Sequence, residues 1–137
     1  MCDHKEIVRK FYGAIWNNAD KAIISELLSE NFSFRGSLGL IQHGHAGFIT
    51  YMDFIRNALG EYRCEIVDMV AEGNKVYARI RYSGIHQGDL FGYSATHARL
   101  EWDGVAAFTF ADGSILEIWV LGDIHCVMKQ LAKYVGD

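Results

Sequence analysis

The sequence predicts an α+β fold in which helices come first and a run of antiparallel strands follows. Two observations carry this prediction. Most of residues 4–59 repeat their apolar side chains every three to four positions, as amphipathic helices do, whereas residues 62–121 alternate with the period of two of a β-strand. Because the two patterns are segregated along the chain, an α+β fold is favoured over a parallel α/β sheet. A curved antiparallel or mixed sheet wrapped around the helices would enclose a cavity.

The N-terminal part is predicted to be mainly helical. In order, we expect a helix at 4–18, a helix at 21–29, a strand at 31–36, a glycine-rich loop at 36–45 and a helix at 46–59. Asp3 and Asp20 stand where side-chain N-caps of the first two helices are expected, because a carboxylate there accepts from free backbone N–H groups. Gly60 stands where a helix C-cap is expected.

The second half is predicted to form strands and one final helix. We expect strands at 62–73, 75–86, 96–110 and 115–121, then a helix at 124–135. The turn Glu72-Gly73-Asn74 separates the first two strands, and the sequence ADGS at 111–114 is a strong hairpin signal. Val76, Ala78, Ile80 and Tyr82 alternate on one face of the strand at 75–86.

Composition narrows the class of protein. The 137 residues fit a single domain over 1–137, and half of them are hydrophobic. The net charge of −4 and the scattered basic residues argue against a nucleic-acid partner. No apolar run reaches the ~20 residues of a membrane helix, so no membrane partner is expected and a cytoplasmic location is predicted. Cys2, Cys64 and Cys126 are isolated in sequence and are predicted to be free thiols.

The last predicted strand and the residues after it, ILEIWVLGDIH (115–125), carry two acids whose orientation has to be explained. Glu117, Trp119 and Asp123 alternate on one face, and the acids there are solvated, paired or directed into a pocket. The other face is apolar. We expect this outer sheet face to be covered by a second copy of the chain in a homodimer, burying Tyr77, Val105, Ala107, Leu116, Ile118 and Val120.

Several stretches together resemble the SnoaL-like polyketide cyclases of the nuclear-transport-factor-2-like superfamily. They are VRKFYGAIWNNAD, LLSENFSF, VAEGNKVYARIRYSGIHQGDLFG and FTFADGSILEIW, followed by Asp123 and QLA. The resemblance implies a cone in which a strongly curved sheet is folded around helices with a deep pocket inside. It also implies a small apolar ligand and an intramolecular aldol ring closure that needs no cofactor. No metal is expected either, because His43 and His45 in a loop without a nearby acid are a weak signal for a metal site.

The resemblance also assigns roles to residues. Asp123 matches the family's general acid/base, His86 matches a histidine in the stretch HQGDLFG, and Trp119 matches the tryptophan before the acid. Two positions depart from the family pattern. Arg35 stands where the cyclases often carry a histidine, and GYSATH places His97 where many members have a glycine.

Each candidate has an alternative role. Asp123 would gain a raised pKa inside an apolar cone, which suits proton abstraction, but it could instead cap the C-terminal helix. His86 could hydrogen-bond a substrate oxygen, or it could be a buried histidine bonded to backbone near a turn. Arg35 could bind a carboxylate or enolate, pair with Asp123 or Glu117, or be exposed.

The remaining candidate substrate-binding residues are mostly aromatic, and their alternative role is core packing: Trp16, Phe54, Tyr82, Trp102, Trp119 and His97. Three functions remain open: a cofactor-independent cyclase or isomerase acting on a polyketide-like or cyclic carbonyl compound, a non-catalytic binder of small ligands, and a dimeric interaction protein. An epoxide hydrolase is a lesser alternative, because no second acid near Asp123 and Arg35 is evident.

Overall fold

The computed structural model describes residues 3–36 and 39–135. The helical elements are α1 (His4–Lys10), which continues as a π-helical segment (Phe11–Asn17), a 3-10 turn (Lys21–Ile23), α2 (Ile24–Leu27), α3 (Gly44–Ala58) and α4 (Ile124–Val135). The strands are β1 (Leu28–Arg35), β2 (Ile41–His43), β3 (Leu59–Glu72), β4 (Lys75–His86), β5 (Arg99–Ala111) and β6 (Ser114–Gly122).

All six strands belong to one curved sheet that does not close on itself. Their order is β2-β1-β6-β5-β4-β3, and β1 runs parallel to β6 while the other neighbours are antiparallel. The N-terminal helices and α3 lie against the concave face. The predicted α+β cone with a mixed sheet is therefore confirmed.

The concave side of the sheet and the helices share one hydrophobic core. Phe11 and Ile15 from the π-helical segment and Phe48 from α3 are almost fully buried, and the ring of Phe11 lies 5.7 Å from that of Phe48 and 5.6 Å from that of Phe108 on β5. Burial of one such side chain contributes about 1.5–3 kcal/mol, so the period-two alternation of the strands decides which face turns inward. As predicted, the buried face of β4 carries Val76, Ala78, Ile80 and Tyr82.

Three predicted boundaries near the N-terminus are wrong. The second helix ends at Leu27 rather than at residue 29, because Leu28 already pairs with Ile115 of β6. The predicted loop at 36–45 contains β2, which pairs antiparallel with β1; residues 37 and 38 of this stretch lie outside the described part. Gly60 is not a C-cap, since the chain passes from α3 straight into β3.

The two faces of β6 are the reverse of those predicted beyond its first residue. Phe110 of β5 pairs with Ile115 whereas Thr109 pairs with Glu117, so Leu116 is an extra residue in a β-bulge. A one-residue insertion exchanges the two faces of everything that follows. Ile118 and Val120 are consequently buried, and Glu117, Trp119 and Leu121 point outward.

The hairpin between β5 and β6 is confirmed. Asp112 and Gly113 both adopt positive φ angles, of 52° and 80°, which is the geometry of a tight two-residue hairpin turn. An Asp-Gly pair adopts this conformation at little cost, so the turn sets the register of the two strands. Among the described helices, none is both long and apolar enough to cross a membrane.

Candidate functional site

A small cavity lies inside the cone, and tyrosines dominate its wall. We call it the interior cavity; it is lined by Phe11, Tyr12, Trp16, Phe34, Tyr51, Tyr62, Cys64, Tyr82 and Val120. Its volume of about 20 Å³ suits one water molecule and is far below the roughly 300–1,000 Å³ of ordinary ligand sites. The deep apolar pocket implied by the family resemblance is therefore mostly filled with aromatic side chains.

Two glycines let tyrosine rings reach this cavity. A Cβ atom at Gly36 would lie 2.2 Å from Cζ of Tyr51, and one at Gly104 would lie 2.8 Å from Cε2 of Tyr82. Any larger residue at either position would push a tyrosine ring out of place. The neighbouring strand backbone, and not only the helices, thus determines where these hydroxyl groups lie.

The polar groups around the cavity are neutral hydrogen-bonding groups. Burial is the main cause that raises the pKa of Tyr12, Tyr62 and Tyr82 well above the ordinary value of 10.0. Burial also raises the pKa of Cys64 to about 12, although Tyr62 and nearby arginines act in the opposite direction. Near neutral pH these side chains remain protonated, so they can donate hydrogen bonds to an oxygen atom.

An open groove on the surface leads to the same residues. We call it the helix groove; it has a volume of about 480 Å³ and is lined by Lys5, Arg9, Tyr12, Gly13, Asn17, Cys64, Ile66, Val67, Asp68 and Met69. Tyr12 and Cys64 belong to both linings. The helix groove and the interior cavity are therefore adjacent spaces that meet at these two side chains.

Asn17 joins the helical and strand walls of the groove. Its side-chain amide donates to the backbone oxygen of Cys64 at 3.0 Å, and its Oδ1 accepts from the backbone N–H of Cys64 at 2.8 Å. This pair of bonds takes the place of a neighbouring strand along the free edge of β3. The π-helical geometry from Phe11 to Asn17 is of a kind that often occurs at functional sites.

Asp123 lies away from both spaces. Its side chain is exposed and caps α4, where Oδ1 accepts from the backbone N–H of Cys126 at 3.1 Å. The cap considered as an alternative is thus present. Among the described residues no Asp or Glu is buried, so the interior cavity contains no carboxylate. A catalytic role for Asp123 stays a prediction.

His86 is fully buried at the end of β4. Its Nδ1 accepts from the backbone N–H of Thr96 at 3.2 Å and lies 2.9 Å from the Thr96 hydroxyl oxygen. Nε2 therefore carries the proton in the neutral ring, and it has no partner among the described residues. Exposed His97 has a φ angle of 61° and bonds to the His86 carbonyl through its backbone N–H.

Three other candidates point outward. Trp119 and Phe54 are 44% and 42% exposed, and both fractions exclude a position inside the cone. Arg35 donates to the backbone oxygen of Val120, and its Cζ lies 5.0 Å from the centroid of the Trp119 ring. The expectation that Trp119 and Phe54 line the cone is wrong, and for Trp119 the bulge in β6 is the reason. An outward position was one of the alternatives for Arg35, and its role in binding stays a prediction.

The structure brings together two candidates and places a third behind them. Trp16 and Tyr82 line the interior cavity, and the ring of Trp102 stacks on Tyr82 at 5.4 Å. Sequence reasoning missed Tyr12, Tyr62 and Cys64 as site residues. The signal was available in part, since Tyr62 and Cys64 alternate on the inward face of β3. Nothing in the sequence indicates that Tyr12 faces them.

Comparison with known proteins gives the family. Residues 6–131 match the model of the SnoaL-like polyketide cyclases. The chain belongs to this family. No match was found among curated proteins. The conclusion that this is a SnoaL-like protein thus rests on a match that covers nearly the whole chain, including every residue of the interior cavity and all but Lys5 of the helix groove.

Solved structures show the same fold at low sequence identity. The SnoaL-like chain is 21% identical to TsrD from Streptomyces laurentii, with a TM-score of 0.84 and coverage of 96% of this chain and 98% of TsrD. AclR from Streptomyces galilaeus is 25% identical, with a TM-score of 0.80 and coverage of 94% and 84%. A SnoaL-like polyketide cyclase from Agrobacterium tumefaciens is 14% identical, with a TM-score of 0.82 and coverage of 96% and 99%.

Proposed function

We propose that this SnoaL-like protein binds a small, largely apolar carbonyl compound where the helix groove meets the interior cavity. The observation that carries the proposal is the cluster of Tyr12, Tyr62, Tyr82 and Cys64 around a water-sized space beside a much larger groove. The body of the ligand would lie in the groove. Its carbonyl oxygen would occupy the small cavity and accept hydrogen bonds from tyrosine hydroxyls.

The polarity of the site supports a carbonyl group rather than a cation. Burial keeps the hydroxyls neutral, and a buried carbonyl oxygen without a donor would cost about 1–3 kcal/mol. The aromatic rings of Phe11, Trp16 and Phe34 supply the apolar remainder of the wall. A ligand that is mostly hydrocarbon with one oxygen acceptor satisfies both parts of this lining.

Benzophenone is a suitable probe because it is a neutral diaryl ketone that can be photo-crosslinked. Tyr82→Phe removes one hydroxyl and keeps the ring, so binding should weaken by roughly fivefold, the value of one ordinary hydrogen bond. Titration calorimetry measures the change. Tyr77→Phe, on the exposed outer face, is the matched control and should bind like the wild type.

A second substitution tests the location. An added Cβ at Gly13 meets no atom within 4 Å, so Gly13→Leu fills the helix groove without disturbing the core. We expect this variant to fold normally and to lose benzophenone binding and crosslinking to the β3 wall. Unchanged binding by both Gly13→Leu and Tyr82→Phe would refute the proposed site.

Catalysis is a second candidate function, and the family match over residues 6–131 favours it. A cyclase or isomerase would abstract a proton next to the carbonyl, with Asp123 as base and His86 stabilising the enolate oxygen. Proton abstraction can be measured without knowing the substrate. A catalyst would exchange the α-protons of a cyclic ketone such as 2-tetralone for deuterium faster than buffer does, and Asp123→Asn would abolish the gain.

We also propose a homodimer through the convex face of the sheet, with corrected residues. One row across the strands carries Ile41, Arg35, Trp119, Ala107, Tyr77 and Val70, and the next carries Leu121 and Val105. Six of these side chains are between 43% and 69% exposed at the same face: Ile41, Val70, Tyr77, Val105, Trp119 and Leu121. The second row continues through Arg79 and Asp68, and the row beyond it carries Arg81 and Asp103, so the face presents both signs of charge to a second copy.

Sedimentation equilibrium tests the dimer. Trp119→Asp places a charge in the apolar row and should convert a dimer to a monomer at micromolar concentration. Tyr134→Asp is the control, because Tyr134 is 57% exposed on α4. A wild-type chain that sediments as a monomer at all concentrations would show that this face is not a dimer interface.

A further inference from the structure

We propose that the ligand of the helix groove carries a carboxylate at its solvent end, held by Lys5. The inference deepens the proposed function and rests on it. Lys5 and Arg9 are one helical turn apart on α1 and both line the helix groove, while Tyr12 and Cys64 line the part shared with the interior cavity. Cationic groups thus stand at one end of the groove and neutral hydroxyl donors at the other.

Among the described charged residues that line the helix groove, Lys5 has no ion-pair partner. Arg9 pairs with Glu6 on the same helix, and Asp68 pairs with Arg79 of β4 at 3.6 Å. Within residues 3–36 and 39–135, no carboxylate lies within ion-pair distance of the Lys5 ammonium group. Lys5 is half-buried and lines the groove, a position in which a lysine commonly packs its aliphatic part and leaves its ammonium group in water.

The β3 side of the groove also offers apolar side chains between polar ones. Ile66 and Met69 are half-buried on the β3 side of the groove. A complementary molecule therefore has an anionic head, a hydrocarbon middle and a carbonyl oxygen at its far end. The carboxylate of Asp68 lines the groove and repels a doubly charged head more strongly than a singly charged one, so a monoanionic carboxylate fits better than a phosphate monoester.

A matched pair of probes isolates the charge. 4-Benzoylbenzoate and its methyl ester have the same diaryl ketone, but only the first is anionic at pH 7. We expect the wild type to bind the carboxylate about fivefold more tightly than the ester at low ionic strength, the upper range for a partly exposed ion pair. Added salt should reduce the difference.

Substitutions assign the effect to one residue. Lys5→Gln should bind carboxylate and ester equally, with ester affinity unchanged. Lys10→Gln is the matched control, because Lys10 is exposed on the same helix outside the groove lining, and it should keep the wild-type preference. Mapping the photo-crosslinked peptides places the probe on the β3 wall.

The outcomes separate this inference from the proposed function. If the ester binds at the tyrosines but the carboxylate binds no better, the carbonyl site stands and the carboxylate preference is refuted. If Lys5→Gln and Lys10→Gln weaken carboxylate binding equally, net charge and not Lys5 is responsible, and the assignment is refuted. If neither probe binds the wild type, both the proposed function and this inference fail.

Discussion

At the scale of single residues, Asp123 shows how one side chain can satisfy two sequence patterns. It follows a strand, where the family resemblance places an acid/base, and it precedes a helix, where a cap is expected. In the structure its carboxylate lines neither the interior cavity nor the helix groove; it accepts a hydrogen bond from the backbone N–H of Cys126 and is exposed at a separate surface groove beside α4. The cap alone accounts for an aspartate at this position.

The capping role predicts that two substitutions of Asp123 affect stability differently. Asp123→Ala removes the hydrogen-bond acceptor and should lower the free energy of unfolding by about 1 kcal/mol, whereas Asp123→Asn keeps an acceptor and should change it by only a few tenths. Urea denaturation measures both. His125→Ala, in the first turn of the same helix and exposed, serves as the control. Equal stability of Asp123→Ala and wild type would show that the cap contributes nothing.

The periodicity of the sequence predicted the buried aromatic residues better than it predicted the tyrosine cluster around the interior cavity. Tyr82, Trp16 and Trp102 were found from alternation and helical spacing because burial follows these periods directly. The tyrosine cluster could not be found in this way, since Tyr12 meets Tyr62 and Tyr82 only after a helix packs across the sheet. Contacts between residues that are far apart in sequence depend on packing angles that local patterns do not contain.

At the scale of elements, two amide side chains occupy backbone groups of strands that have no neighbouring strand at that point. Asn17 pairs with both backbone groups of Cys64 on β3, and Gln130 of α4 pairs in the same way with both backbone groups of Glu101 on β5. Each amide occupies an N–H and a C=O that a neighbouring strand would otherwise pair. Exposed edges of this kind otherwise invite association with other chains.

Asn17→Ala tests the contribution of one such amide. The substitution leaves two backbone groups of Cys64 without partners, so the free energy of unfolding should fall by about 1–3 kcal/mol. Asn18→Ala is the control, because its neighbour Asn18 is exposed and is not in the groove lining. Hydrogen exchange at the Cys64 amide should accelerate in Asn17→Ala only; unchanged exchange there would show that the Asn17 amide does not protect this part of β3.

The bulge in β6 explains the largest error at this scale. Sequence alternation predicted the existence of every long strand and the position of the Asp-Gly turn. It could not predict that Leu116 is the unpaired residue of a β-bulge, because the bulge depends on how β5 pairs with β6 and is not visible in the hydrophobic pattern. The short strand β2 was not predicted either, since its three residues are too few to show a period.

At the scale of the whole molecule, the buried tyrosines and Cys64 couple stability to alkaline pH. The folded chain keeps Cys64 protonated up to about 12, whereas the unfolded chain loses this proton near 9.0. Between these values the folded state holds the extra proton, so the free energy of unfolding falls as the pH rises, by up to about 1.4 kcal/mol per pH unit. The tyrosines add to the fall above 10.0.

Cys64→Ser isolates the thiol in this pH dependence. Between pH 9 and 10 the variant should lose stability less steeply than the wild type, because its hydroxyl does not titrate there. Urea denaturation at several pH values measures the two slopes. Cys126→Ser, at a half-buried position on α4, should keep the wild-type slope. Parallel curves for wild type and Cys64→Ser would mean that Cys64 does not titrate differently in the folded and unfolded chains.

Because the Asn17 amide joins the two walls of the helix groove, its slow hydrolysis would weaken the groove. Deamidation would turn Asn17 into aspartate, replacing the N–H donor to the Cys64 carbonyl with a second oxygen. Two oxygens would then face each other where a hydrogen bond had been. We expect stored protein to loosen first at this junction, so that ligand binding declines with age before the fold does.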